Sequence, residues 1–308
     1  MITVGSSVLG HVYTTPLRVL AFIAIMMMGC WSASAHRDRM AIPSSLSSYV
    51  PRLSSIIHVP GYLVIGVLSS MILAVSVLIT AYMAFMAIGR AGENMVLIMG
   101  MVSIQVPLSS VFPLSSSTAL LLTVLYMMGM RKSIDDGWNV PSGVIIMVSP
   151  FLIMMLDSMM VCVVIAVMVM GALHSIVVRS WVPVVPTALG GISAIAGMVI
   201  ARPSLPSWGI SASMWGNPTY HVPSSSFIVL GFTVDLSVIM YSIAVAVWVM
   251  AFLGSLAAFR RGAIMGMAPA LALFLALVSG MDSFPYFIIT GLYLSGVSMV
   301  LNWSERDR

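Results

Sequence analysis

GRAGENMVLIMGMVSIQVPLSSVFPLSSS, residues 89–117, interrupts an apolar block that runs from Gly61 to Met130. Arg90 and Glu93 are the only formal charges in that block, and both stand where its first long hydrophobic run ends. Beyond them the chain stays apolar, but Pro107, Pro113 and five serines between 109 and 117 break its continuity. Proline removes a backbone donor and clashes with the preceding turn, which argues against one straight helix through the stretch. In a bilayer, irregular backbone persists only where protein or water satisfies it. The stretch therefore reads as a re-entrant or interfacial segment near 92–110 between two spans, or as a broken span, and as the place where a partner or a pathway touches the membrane core.

The rest of the chain fits that frame. Of 308 residues, 60% are hydrophobic and only 7% are charged, and the mean hydropathy is +1.09. A soluble domain carries about 25% charged residues. The expected fold class is all-α, a polytopic integral membrane helical bundle with no soluble domain of useful size. The formal charge of +4 is too thin for a nucleic-acid surface, which needs clustered basic residues. Cys30 and Cys162 lie inside apolar runs and read as small hydrophobes rather than a disulfide framework. The 29 methionines, several of them adjacent, read as gap-filling apolar residues; copper(I) binding by thioether clusters is the alternative.

Hydropathy places eight spans at about 17–34, 61–89, 111–130, 143–173, 181–201, 227–257, 263–281 and 284–301. A crossing by Asn94 to Val106 would make nine. The first run, Leu17 to Trp31, is followed by Ala33-Ser34-Ala35, a small-residue pattern like a signal cleavage site. The only basic residue ahead of its core is Arg18, so the run reads as an uncleaved first span. The charge bias between alternate loops is nearly even and does not fix the orientation.

The motifs point away from catalysis. The sole lysine, Lys132, follows Gly129-Met130-Arg131, so there is no nucleotide-binding P-loop. The five histidines do not form the intramembrane pairs that a di-haem subunit needs, and HExxH, GxSxG and CxxC do not occur. The chain is expected to be no enzyme and to hold no cofactor and no metal. Asp157 and Asp235 are the ionisable groups inside predicted spans. Such residues are expensive in lipid and face the bundle interior, as a proton or cation site or as hydrogen-bonding partners of nearby hydroxyls such as Ser158 and Ser237. The segment from Arg202 to Ser226 gathers Trp208, Trp215, Asn217, Pro218 and Tyr220, an outer loop with an aromatic belt.

Pro206-x-Trp208, then Asn217-Pro218-Thr219-Tyr220-His221-Val222, then a long run ending in Phe259-Arg260-Arg261, resembles the end of ABC transporter permeases of the type-2, exporter-like class. The run ALHSIVVRSW, Ala172 to Trp181, is similar to their short inner turn between spans four and five. Glu93 to Ser110 stands where their cytoplasmic coupling helix would be. The resemblance covers about residues 10–262 and implies a six-span permease-like domain over 1–262, with two additional spans and a polar tail over 263–308. It also implies a separate ATPase subunit, a homodimer or heterodimer in the membrane, contact with lipids, and a place in a prokaryotic plasma membrane.

On that footing Arg90, Glu93 and Gln105 are the candidate partner-coupling residues. Glu93, read as a solvated interfacial charge, is the first choice for pairing with an arginine of the ATPase. The family plan places His36–Pro60, Arg131–Pro141 and Arg202–Ser226 on one and the same outer side. The expected function is the permease subunit of an ATP-driven exporter of a hydrophobic, amphipathic or lipid-linked substrate. The alternative is a non-catalytic membrane-anchor or scaffold subunit of a larger complex, for example a respiratory one.

Overall fold

The structure is a computed structural model. It describes residues 16–35, 49–88, 90–102, 114–135, 137, 139–156, 161–201, 226–229 and 232–235, with 268, 271, 272, 274 and 275. Among the described residues there are eight helices of five residues or more: α1 Pro16–Ala35, α2 Tyr49–Ile57, α3 Gly61–Ile88, α4 Arg90–Val102, α5 Leu114–Asp135, α6 Val140–Leu156, α7 Val161–Val178 and α8 Val184–Ala201. Two short strands, β1 Ser226–Val229 and β2 Phe232–Asp235, pair antiparallel, with Ser226 opposite Asp235 and Val229 opposite Phe232. One helix, Gly61–Phe85 within α3, is long and apolar enough to cross a membrane by length and composition, with a mean hydropathy of 2.5. Shorter apolar helices run over Pro16–Trp31, Val140–Leu156, Val161–Val177 and Val184–Ile200.

The ends of these helices follow local chemistry. Asn139 caps α6: its Oδ1 accepts the Ser142 amide at 2.9 Å, which satisfies one of the orphan donors of the first turn. Pro141 sits in that same turn, where a missing N–H costs nothing. α2 and α7 close alike. His58 and Arg179 take left-handed φ of 54° and 52°, and the next amides, Val59 and Ser180, reach back to the Ser54 and Ser175 carbonyls at 3.2 and 3.1 Å. Glycine would adopt that conformation without the roughly 1–2 kcal/mol cost of a Cβ, so both stops are held against a local preference.

The directions of the helices come from pairs of contacts. Ser69 and Ser117 share a hydroxyl–hydroxyl bond of 2.5 Å, and Arg131 donates to the Met83 carbonyl at 3.1 Å; both bonds join α3 to α5 at the same offset of 48 residues. Equal offset means that α3 and α5 run parallel. α4 folds back along α3, bringing Gly100 beside Val77. α1 is antiparallel to α3: Ala21 clusters with Ala81 and Ala84, and Ile25 with Leu73 and Val77. The second half repeats the plan. Ser193 of α8 donates to the Met147 carbonyl of α6, and one turn on Gly197 meets Phe151, so α6 and α8 are parallel. Gly171 meets Thr187 and Gly191 meets Met168, so α7 runs back between them. From α3 to α8, successive helices alternate in direction.

Pro150 shows how the α6–α8 pair is held. Inside α6 it removes an amide donor and loosens the carbonyls of the preceding turn. Ser193 supplies a hydroxyl to one of them, at Met147. The carbonyl that Pro150 leaves without its helical donor is that of Ile146, four residues back, and Ser193 binds the next one, tying α8 to α6 beside the proline. Ser193 and Gly197 form a small-x-x-x-small step that lets the two backbones approach closely. Elsewhere the buried hydroxyls of Ser70, Ser76, Thr80, Thr123, Ser175 and Thr187 bond carbonyls of their own helices at 2.6 to 2.9 Å. The main apolar cluster joins α1, α3, α5, α6, α7 and α8, and takes in Ala268 and Ala272.

Three expectations change. The run 143–173 is two helices, α6 and α7, of opposite direction, because α8 is parallel to one and antiparallel to the other. Of the segment near 92–110, read as re-entrant, interfacial or a broken span, the described part is α4, which runs back along α3 and packs on α1, and residues 103–110 lie outside the described residues. The run 227–257 opens as a β-hairpin, where alternating β-branched and aromatic residues flank a two-residue connection. Tyr49–Pro60 and Arg131, from two segments expected on one side, stand at opposite ends of the bundle: α2 packs on the start of α3, through Val50 with Val64 and Ile65, whereas Arg131 bonds near its end.

A contrast between two glycines tests the α8 contacts. A Cβ on Gly197 would stand 2.6 Å from the Phe151 carbonyl oxygen and 3.1 Å from Met154 Cβ, both fixed atoms. A Cβ on Gly191 meets only the Met168 side chain, which swings aside. Gly197→Ala is expected to lower stability by about 1–3 kcal/mol, the usual cost of overpacking. Gly191→Ala should be near neutral. Thermal unfolding of the two purified variants beside wild type measures the difference.

Candidate functional site

Arg18 of α1 and Glu93 of α4 form a buried ion pair, the Arg18 Nε donating to Glu93 Oε1. Their side chains are 10% and 3% exposed. It is the one salt bridge found among the described residues. Local sequence puts each group there. Pro16 starts α1, as its fixed φ favours at a first helical position, and leaves Arg18 in the opening turn. Glu93 lies in the first turn of α4, where the helix dipole favours a carboxylate. Arg18 has the opposite relation to its own helix, so its compensation comes from Glu93. Because α1 and α4 both lie along α3, the two opening turns meet at one end of the bundle, beside Leu17, Ala21, Ala84 and Leu97.

Two charges taken out of water cost several kcal/mol each, and their attraction offsets this only in good geometry. The pair therefore fastens α1 to α4 chiefly through the cost of breaking it. The Glu93 carboxylate is committed to Arg18 and is not presented to a partner, which corrects the expectation of a solvated coupling charge. The reason is tertiary: α4 packs on α3 and α1, and its first turn is covered by α1. Arg90, one turn earlier, is exposed. It is the coupling candidate that stays at the surface.

The remaining candidates fall as follows. Gln105 lies outside the described residues, as do Asp157 and the outer-loop set Trp208, Trp215, Asn217, Pro218 and Tyr220. Asp235 ends β2, paired with Ser226 across the hairpin. Arg18 is the functional residue that sequence reading missed. Its signal was present: one base in an apolar run and one acid in another, each costly alone and neutralised as a pair.

Comparison with known protein families, with curated proteins and with solved structures finds no match to this chain.

Removing one partner tests whether the pair is structural. Glu93→Ala leaves the Arg18 guanidinium buried and unpaired and is expected to cost about 3–5 kcal/mol. Replacing both, as Arg18→Met with Glu93→Leu, should recover most of that loss. Thermal unfolding of the three purified proteins measures it, and a double variant no better than Glu93→Ala would show that the charges act independently.

Proposed function

We propose that this chain is a polytopic integral membrane protein that serves as the membrane-spanning permease subunit of an ATP-driven exporter, with its ATPase on a separate chain. The observation that carries the membrane reading is the sidedness of the bundle. Large apolar side chains point outward along α6, α7 and α8, among them Val144, Met147, Ile176, Ile192, Ile195 and Val199. Many hydroxyls, among them Ser69, Ser70, Ser76, Thr80 and Thr123, and the ion pair found among the described residues point inward. Water-soluble folds rarely leave apolar patches wider than a few hundred Å² exposed. A bilayer favours this arrangement, because lipid accepts the outer face and polar groups must find partners inside. Trp181, 82% exposed at the α7–α8 turn, suits the headgroup layer. Helices of 17 and 18 residues, such as α6 and α8, stand at the short end of what spans a hydrocarbon core.

The exporter role draws on the resemblance in the sequence and on the described interior. That interior holds one already neutralised ion pair and many self-satisfied hydroxyls. Such a lining suits a hydrophobic, amphipathic or lipid-linked substrate better than an ion. One observation favours the second reading, a non-catalytic anchor or scaffold subunit: Glu93, the candidate ATPase contact, is turned inward. Coupling on the exporter reading then falls to exposed end residues such as Arg90.

Two experiments test these readings. In a background without Cys30 and Cys162, Ser55→Cys and Lys132→Cys, both exposed, should be labelled by an impermeant thiol reagent from opposite faces of intact cells. Labelling of both from one face would overturn the alternating topology. Gentle purification of the tagged wild-type chain should bring down a P-loop ATPase, and Arg90→Glu should weaken that association without loss of the fold. Partners made up of redox subunits, with no ATPase, would leave the scaffold reading in place.

A further inference from the structure

Three buried polar atoms have no hydrogen-bond partner among the described residues: the Tyr126 hydroxyl, Ser133 Oγ and His174 Nδ1. They are not scattered. Tyr126 and Ser133 stand seven positions apart on α5, so they share one helix face with Met130 between them. That face meets α7 and α8. The Tyr126 hydroxyl lies 2.5 Å from where a Gly190 Cβ would be, and Met130 Cε lies 3.3 Å from where a Gly171 Cβ would be, beside Thr187. α5 and α7 are parallel, both being antiparallel to α8. Three residues beyond the Met130–Gly171 contact on each helix come Ser133 and His174, which places them at one level near the ends of α5 and α7.

We propose that the seam between α5, α7 and α8 is a binding site for a file of water, entered at His174 and ending at Tyr126. The chemistry limits the ligand to small neutral hydrogen-bonding molecules of that size. The lining offers hydroxyls and an imidazole, with neither a carboxylate nor a fixed cation among them. The glycines leave little width for anything larger. An unpaired buried polar atom costs on the order of 1–3 kcal/mol, and two hydroxyls and an imidazole nitrogen in one seam are tolerated when bound water answers them. Buried water makes about three hydrogen bonds to such groups. Successive polar levels along the seam are Ser133 with His174, then Thr187, then Tyr126. They stand about one helical turn apart, roughly 5.4 Å, which two consecutive water-length hydrogen bonds bridge. Tyr126 is fully buried, so the file brings water to the centre of the bundle from one end only. This inference rests on the orphaned atoms and holds for either reading of the protein's role.

Radiolytic hydroxyl-radical footprinting of the full chain in lipid, run in oxygen-18 water, tests it. Met130 and Met154 are the same residue type and equally buried, at 0% and 1% exposure, but only Met130 lines the seam. Radicals form from water held beside the target, so Met130 and Tyr126 should take up labelled oxygen several-fold faster than Met154. A Met130 rate no higher than that of Met154 would overturn the proposal. His174→Leu should close the entrance and bring the Met130 rate down to that of Met154. An unchanged Met130 rate in that variant would overturn entry at His174.

Discussion

Two hydrogen bonds set the direction of everything after α3. Ser69 with Ser117 near one end, and Arg131 with the Met83 carbonyl near the other, hold α3 and α5 parallel. Parallel neighbours cannot be joined by a tight turn, so a third segment has to run back between their ends. α4 runs back along α3, and its contact with α1 brings Glu93 against Arg18. A charge that stands at the edge of an apolar run in the sequence is thus carried into the interior. The buried pair is a consequence of the parallel register, and it in turn fastens α1.

The second half of the bundle solves the same problem with less polarity. α6 and α8 are parallel, and α7 is the return. Here the close approach comes from missing side chains. Gly171, Gly190 and Gly197 each face a side chain or backbone atom of a neighbouring helix closer than a Cβ allows without a shift, whereas Gly191 faces only the flexible end of Met168. Small residues let helix backbones approach closely, so that packing contacts and interhelical hydrogen bonds can form there. Ser193 combines both devices, being small and donating to a carbonyl that Pro150 loosens.

The polar interior is economical. Most buried hydroxyls bond their own helix, which keeps them satisfied without fixing any neighbour. The few that reach across, at Ser69–Ser117 and Ser193–Met147, coincide with the contacts that define helix direction. The hydroxyls that bond neither way, at Tyr126 and Ser133, gather in one seam with His174. Satisfied, crossing and orphaned hydroxyls therefore mark three different jobs: tolerance of polarity, register, and access for a small ligand.

The sequence alone determined the class of the bundle. A chain with 60% hydrophobic and 7% charged residues, broken into apolar runs, gives helices, and the described elements are helical over five of the eight runs so marked. The apolar runs at 17–34, 61–89, 111–130 and 181–201 correspond closely to α1, α3, α5 and α8. Hydropathy failed over 143–173, where one apolar run holds two helices of opposite direction, because apolarity by itself does not record a change of direction. It also failed over 226–235, where the choice of strand over helix rests on pairing across a turn. Glu93 and Arg18 were each visible as costly charges, but their union was not. Which helix covers another is set by direction and register, and these come from contacts between residues 46, 48 or 75 positions apart, a separation that no local pattern records.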